Sequence, residues 1–317
     1  EAPSLFGQPV GRVKEVLGEM DDPGMEIDIA VRKYSVPHQF SSACLAQAAE
    51  LPVKVRTKDL ADRVDLRDIA LVTIDGEDAR DFDDAVYCEP TTFGKQKGWR
   101  LLVAIADVSY YVDTGSPIDI DAYERATSVY FPRRVIPMLP HLLSNDWCSL
   151  NPNETKLTLS CNMILDMDGK VVSYDIQKSY LESHRRLNYD EVNQFLIKGV
   201  SLKDQKVEAM LTMMSELSQK LKVIRKKRGE IEFESSELGF IVDKQGRVLD
   251  VYERKTDEAE ELIESFMLIA NETVAFHMHH AELPALYRIH EKPDNLKLKN
   301  ALTMVSRLGF PVNMKQL

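Results

Sequence analysis

The sequence predicts a mixed α+β fold. Strand-like apolar runs cluster between residues 69 and 176, and two long runs with helical spacing follow them. Neither internal repeats nor low-complexity segments interrupt this order. With 317 residues, a soft expectation is two domains of roughly 150 residues each. Hydrophobic residues at 44% and charged residues at 29% allow a sizeable core and argue against disorder.

Each element has its own signal. Gly11 to Gly18 and Met25 to Tyr34 read as two strands around the turn Asp22-Pro23-Gly24. Ser41 to Glu50, rich in Ala, reads as a short helix. This opening is too small for a core of its own, so it reads as the tail of a β domain followed by a linker. Ile69–Ile74, Asp83–Cys88 and Leu101–Ile105 read as strands. Ser116-Pro117 supplies an N-cap and a first-turn proline for a helix to about Arg125. Lys156–Leu165 and Lys170–Ile176 flank Asp166-Met167-Asp168-Gly169, a hairpin signal.

Val207, Met210, Leu211, Met214, Leu217, Leu221 and Ile224 recur three and four apart. They predict a long amphipathic helix ending at Arg225-Lys226-Lys227-Arg228 and Gly229. Phe240–Val242 and Val248–Tyr252 form a second hairpin around Gln245-Gly246. Asp257 caps another long helix to about His277, Ala285–His290 reads as a strand, and Pro293 opens a last helix.

The four cysteines, Cys44, Cys88, Cys148 and Cys161, form no C-x-x-C pair. Reduced thiols in a cytoplasmic protein are the expectation. No stretch approaches the ~18 apolar residues of a membrane helix, so no membrane partner is expected. The chain begins at Glu1, which reads as a processed or excised start.

The net charge of −11 argues against a simple basic-patch nucleic-acid binder, but it is unevenly spread. Between Ala61 and Pro90, ten acids face three bases, which accounts for −7 of it. Within this stretch Asp75, Asp81, Asp83 and Asp84 fall inside ten residues, between two strand-like runs. Crowded carboxylates repel one another, and desolvation raises their pKa values further. Divalent cations with a taste for hard oxygen ligands, Mg²⁺ above all, would offset the charge. Two such ions can stabilise both the attacking and leaving oxygens of a phosphoryl displacement.

The bland alternative is a solvated acidic loop, and spacing alone leaves it level with a metal site. An EF-hand fails on spacing, because Ala85 and Val86 would fall where it needs an acid or Asn and then Gly. A glycosidase pair would need only two of these carboxylates.

The run Val64-Asp65-Leu66-Arg67-Asp68, followed by Thr73-Ile74-Asp75-Gly76-Glu77-Asp78-Ala79-Arg80-Asp81-Phe82-Asp83-Asp84-Ala85-Val86-Tyr87, closely resembles the opening of the RNB catalytic domain. The resemblance continues through Val103 to Ser109, Thr127 to Pro132, Ile136 to Pro140, Leu143-Ser144-Asn145 and Cys148 to Pro152. It then runs through Arg228-Gly229, Leu262-Ile263-Glu264, Ala270-Asn271 and Tyr287 to Pro293. It implies three regions. Residues 1–40 resemble the end of a cold-shock, OB-type β-barrel; 41–64 would be a linker helix; 65–317 would be an RNB domain, truncated on its C-terminal side.

The resemblance implies a processive, hydrolytic 3′→5′ exoribonuclease that uses Mg²⁺ and releases nucleoside 5′-monophosphates. Its expected partner is the 3′ end of single-stranded RNA, and the expected state is a monomer. Asp75, Asp81, Asp83 and Asp84 match the four family aspartates. In this reading Asp75 and Asp84 hold one ion, while Asp81 and Asp83 complete the second and orient the attacking water.

Tyr130 matches a tyrosine that packs on the 3′-terminal nucleotide, a sequence-tolerant contact. Phe233 is a weaker candidate for the other side of that clamp, against a plain core phenylalanine. Glu264 would reach a ribose 2′-hydroxyl, against an equal reading as helix-surface charge. Arg288 or His290 would line the RNA path, with a structural salt bridge as the alternative. The basic run at Arg225 to Arg228 reads better as a helix C-terminus than as a phosphate contact. His277, His279 and His280 lack zinc-ligand spacing.

The family's later Ser-Pro-x-Arg-x-Tyr segment has no counterpart before Leu317, where the only Ser-Pro pair is Ser116-Pro117. Weak or no activity is therefore expected of this chain alone. A non-catalytic RNA-binding or regulatory fragment, and a phosphohydrolase of other substrates, are the rival readings.

Overall fold

The computed structural model describes residues 11–52, 54–132, 134–230, 237–243, 247–254, 256–289 and 291–311. They divide into two compact units, Glu1–Thr273 and Val274–Leu317.

The first unit begins with α1 (Met25–Lys33) and α2 (Ser42–Ala49), then β1 (Val64–Asp65), β2 (Val72–Asp75), β3 (Asp84–Phe93) and β4 (Gln96–Ala106). Next come α3 (Pro117–Arg125), the small pair β5 (Val129–Phe131) and β6 (Arg134–Ile136), and then β7 (Thr155–Asp166), β8 (Val171–Glu182) and β9 (Arg185–Asn188). α4 (Tyr189–Lys198), α5 (Gln205–Arg228), the hairpin β10 (Glu237–Val242) and β11 (Val248–Arg254), and α6 (Glu258–His280) follow. The second unit takes the end of α6 and α7 (Asn295–Arg307). The mixed α+β class is the one the sequence predicted.

Seven strands form one sheet in the order β1-β8-β7-β4-β3-β2-β9. β1 runs parallel to β8 and β2 parallel to β9, while the central pairs are antiparallel. The run Leu101 to Ala104 is apolar throughout because both faces of the sheet are covered. Leu101 and Val103 join Val86, Met163 and Leu165 under α5 and α6, through Leu211, Leu217, Leu262 and Phe266. Leu102 and Ala104 face the other way, toward Ile118 of α3, Cys44 of α2 and the segment Leu143 to Leu150.

Local caps explain several boundaries. Ser116 accepts the N–H of Asp119 ahead of Pro117, and Asp204 caps α5, which ends at left-handed Gly229. Arg63 and Asp107 form a buried ion pair at 2.6 Å that ties the entry of β1 to the exit of β4. All four cysteines are buried, unpaired thiols.

Three expected strands are corrected. Met25 to Lys33 is a helix: its first turn carries Glu26 and Asp28, its last Arg32 and Lys33, and Asp28 pairs with Arg32 at 2.9 Å across one turn. The macrodipole and this i,i+4 pair outweigh the alternation of Ile27, Ile29 and Val31. Residues 11–19 carry no strand either. Residues 283–289 are irregular chain, with Leu286 and Ile289 exposed, so no buried face rewards strand alternation there. The turn at Gln245-Gly246 lies outside the described residues. Among the described residues no helix is long and apolar enough to cross a membrane.

Candidate active site

The aspartate segment is the connection between β2 and β3, two central strands of the sheet. Asp75 ends β2, where it lies opposite Asn188 of the parallel strand β9, and Asp84 opens β3 opposite Ile105. Residues 76–83 between them make a wide loop, so the four aspartates sit at its two stems and along its return. Both stems belong to the rigid sheet.

The loop is held from two sides. Inward, the Ser149 hydroxyl accepts the N–H of Phe82 at 3.0 Å and donates to the Arg80 carbonyl at 3.2 Å. The N–H of Leu150 donates to the Phe82 carbonyl, and that of Ala106 to the Asp83 carbonyl. Phe82 is buried on the face of the sheet covered by α2 and α3, in the cluster of Leu102 and Ala104. Outward, Arg186 of β9 donates from one guanidinium nitrogen to the carbonyls of Glu77 and Ala79, both at 3.1 Å. Its guanidinium carbon lies 4.3 Å from the centre of the Phe82 ring. Neither Ser149 nor Arg186 was singled out by sequence, since each is distant along the chain from the loop it holds.

The electrostatics match the crowding. Burial, then Asp75 and Asp83, push Asp84 up to about 7. Burial, then Asp81 and Asp75, push Asp83 up to about 6. Among the described residues, Asp84 Oδ2 is buried without a hydrogen-bond partner, and the Thr73 hydroxyl on β2 is in the same state. Asp75 Oδ1 accepts the N–H of Gly76 at 2.6 Å.

An orphaned, buried carboxylate oxygen among mutually repelling hard donors fits a small divalent cation. Among the described residues, no three His, Cys, Asp or Glu side chains converge to cage a metal by themselves. Mg²⁺ takes one or two carboxylates and fills its remaining positions with water and phosphate oxygens.

Tyr130 lies on β5, opposite Val135 of β6, and its ring is largely exposed. Burial, then Asp81 and Asp83, raise its phenol above the ordinary tyrosine value. The structure thus brings Tyr130 into the electrostatic reach of the aspartates from about fifty residues further along the chain.

The remaining candidates are less concentrated. Glu264 is exposed on α6, next to buried Ile263 and Ser265. Arg288 is exposed on irregular chain in the second unit. Phe233 and His290 lie outside the described residues. The basic run at the end of α5 is engaged within the fold: Arg225 pairs with Glu230 and donates to Ser265, and Arg228 pairs with Glu272. In the second unit, His280 packs its ring on Phe276 at 3.8 Å.

The sequence and the fold both have known relatives. The RNB domain matches residues 63–316, and a cold shock domain matches residues 2–41. Ribonuclease R of Escherichia coli is 42% identical over 313 residues, which is 98% of this chain and 38% of that protein. Ribonuclease R of Thermotoga maritima is 44% identical over 307 residues, 95% of this chain and 43% of its own length. The chain therefore spans about two fifths of these relatives.

A solved structure, Mycoplasma genitalium RNase R in complex with ribose methylated single-stranded RNA, superimposes with a TM-score of 0.88 at 32% identity. That match covers 96% of this chain and 47% of the other. With the domain match covering residues 63–316, most of its length, the chain belongs to the RNB family.

Proposed function

We propose that the acidic loop is the cation-binding centre of a hydrolytic 3′→5′ exoribonuclease that takes the 3′ end of single-stranded RNA and releases nucleoside 5′-monophosphates. The observation that carries this reading is Asp84: a buried carboxylate with an orphaned oxygen, pushed up to about 7 beside Asp75 and Asp83. Such a group is costly unless a cation meets it. In this reading residues 1–40 are the end of a cold-shock domain, 41–64 a linker and 65–317 RNB domain.

Asp75 and Asp84 would hold one Mg²⁺, and Asp81 and Asp83 would complete a second. When bound, the ions supply positive charge that polarises the scissile phosphate and draws it to the aspartates. Asp83, more exposed than Asp84 and raised to about 6, would orient the attacking water together with Asp81 and accept its proton. The exposed ring of Tyr130 offers a stacking face to the terminal base. Glu264, Phe233, Arg288 and His290 are secondary candidates for ribose, base and backbone contacts.

The test is incubation of the full-length protein, and of this chain beside it, with body-labelled RNA and DNA of one sequence, in Mg²⁺ or EDTA; the chain alone is expected to be weakly active or inactive. Mononucleotides released from RNA alone, and in Mg²⁺ alone, support the reading. Binding without cleavage by the full-length protein, with all four aspartates intact, would instead make it an RNA-binding relative.

A further inference from the structure

We propose that Arg186 is a positioning residue for the aspartate loop: it fixes the loop backbone in the shape that takes a divalent cation, and it does so despite its own positive charge. The proposal rests on the reading of the loop as a cation site.

Two geometric facts carry it. The first is register. In the parallel pair of β2 and β9, Thr73 lies opposite Arg186 and Asp75 opposite Asn188. Side chains two apart on a strand share a face, so Arg186 starts from the face of the sheet that presents Asp75. The second is the set of contacts. One guanidinium nitrogen donates to the carbonyls of both Glu77 and Ala79, while the guanidinium carbon lies over the Phe82 ring, 4.3 Å from its centre. These three points span the loop from its second residue to its seventh.

From Asp75 to Asp84, both ends included, the segment holds six acids and one base, Arg80. Left alone it would spread under its own repulsion. Arg186 grips it by uncharged groups, two carbonyls and a ring, and leaves the carboxylates free of its hydrogen bonds. A planar guanidinium can donate in two directions and stack at once; a lysine ammonium cannot.

A merely electrostatic Arg186 makes the opposite prediction, which gives a clean test. A spare positive charge beside a cation site weakens cation binding, so its removal would tighten Mg²⁺. A positioning residue, once removed, loosens it. Groups that orient metal ligands typically cost about 10–100-fold in metal affinity when lost.

The experiment is isothermal titration of Mg²⁺ alone into the unmodified chain, Arg186→Ala, Arg186→Lys and Asp84→Asn. The expected result is strong loss in Asp84→Asn, roughly tenfold or greater weakening in Arg186→Ala, and intermediate affinity in Arg186→Lys. Arg186→Ala that binds Mg²⁺ as well as or better than the unmodified chain, with Asp84→Asn still defective, overturns the proposal and spares the cation site. Equal binding by the unmodified chain and Asp84→Asn, or none by either, overturns both. Should Arg186→Ala fail to fold, Arg186→Lys decides alone: unchanged affinity refutes the role, and weakened affinity in a folded chain supports it.

Discussion

Ser149 receives the amide N–H of Phe82 at 3.0 Å, and this bond lies where the acidic loop turns back into the sheet. The serine side chain is wholly buried and also donates to the Arg80 carbonyl. Ser149→Ala would leave a buried N–H unpaired just ahead of Asp83 and Asp84. The expected loss of stability is about 1–3 kcal/mol, read from urea unfolding of the metal-free chain. Mg²⁺ affinity should fall as well, because the loop's inward anchor is gone. Unfolding and Mg²⁺ binding both unchanged would show that the bond holds nothing in place.

The raised carboxyls give the metal-free chain an unusual pH dependence. Asp84 at about 7 and Asp83 at about 6 keep their protons in the folded state to higher pH than in the unfolded chain. Between about pH 4 and pH 7 the folded state therefore binds more protons, and stability falls as pH rises. In EDTA the chain should be more stable at pH 5 than at pH 8. After allowance for solvent screening, Asp84 accounts for on the order of 2 kcal/mol of that difference. Asp84→Asn should flatten the profile, and Mg²⁺ should restore stability chiefly at pH 8. A metal-free profile that rises from pH 5 to pH 8 would contradict the burial of Asp84.

Tyr130 allows a test of stacking against hydroxyl chemistry. Its ring is exposed beside the aspartates, and stacking needs only the ring. Tyr130→Phe should keep affinity for a short RNA 3′ end, while Tyr130→Ala should lose about 1–3 kcal/mol. Fluorescence anisotropy in Ca²⁺ or EDTA would measure both without cleavage. Equal losses in the two variants would point to the hydroxyl instead.

Much of this was legible in the sequence, and the limit is instructive. The acidic loop could be read because its aspartates are neighbours along the chain. The helices at Ser116-Pro117 and before Gly229 could be read because caps are local. What escaped was non-local. Arg186 reaches Glu77 across a parallel strand pair more than a hundred residues apart in sequence, and parallel pairing leaves no turn signal to reveal its register. Met25 to Lys33 failed for a different reason. Ile27, Ile29 and Val31 alternate, yet Asp28 and Arg32 pair across a helical turn, and a hydrophobic count gives no weight to charges.

Gly98 tests whether the sheet and the site can be separated. It lies on β4 opposite Asp166 of β7, where the two strands approach closely. A Cβ there would fall 2.0 Å from the Leu165 carbonyl oxygen and 3.1 Å from its carbon. Both are backbone atoms, so no side chain can swing aside, and the strands must part. Gly98→Ala should destabilise the chain by about 3 kcal/mol, the upper part of the range for overpacking. Gly98 is at the opposite end of β4 from Ile105, which faces Asp84. The two are seven steps apart along the strand, about 23 Å. The variant should therefore unfold at lower urea while its folded fraction, titrated at low temperature, binds Mg²⁺ normally. Lost Mg²⁺ affinity in a folded Gly98→Ala chain would mean that the β4–β7 register, beyond the loop's own anchors, sets the positions of the aspartates.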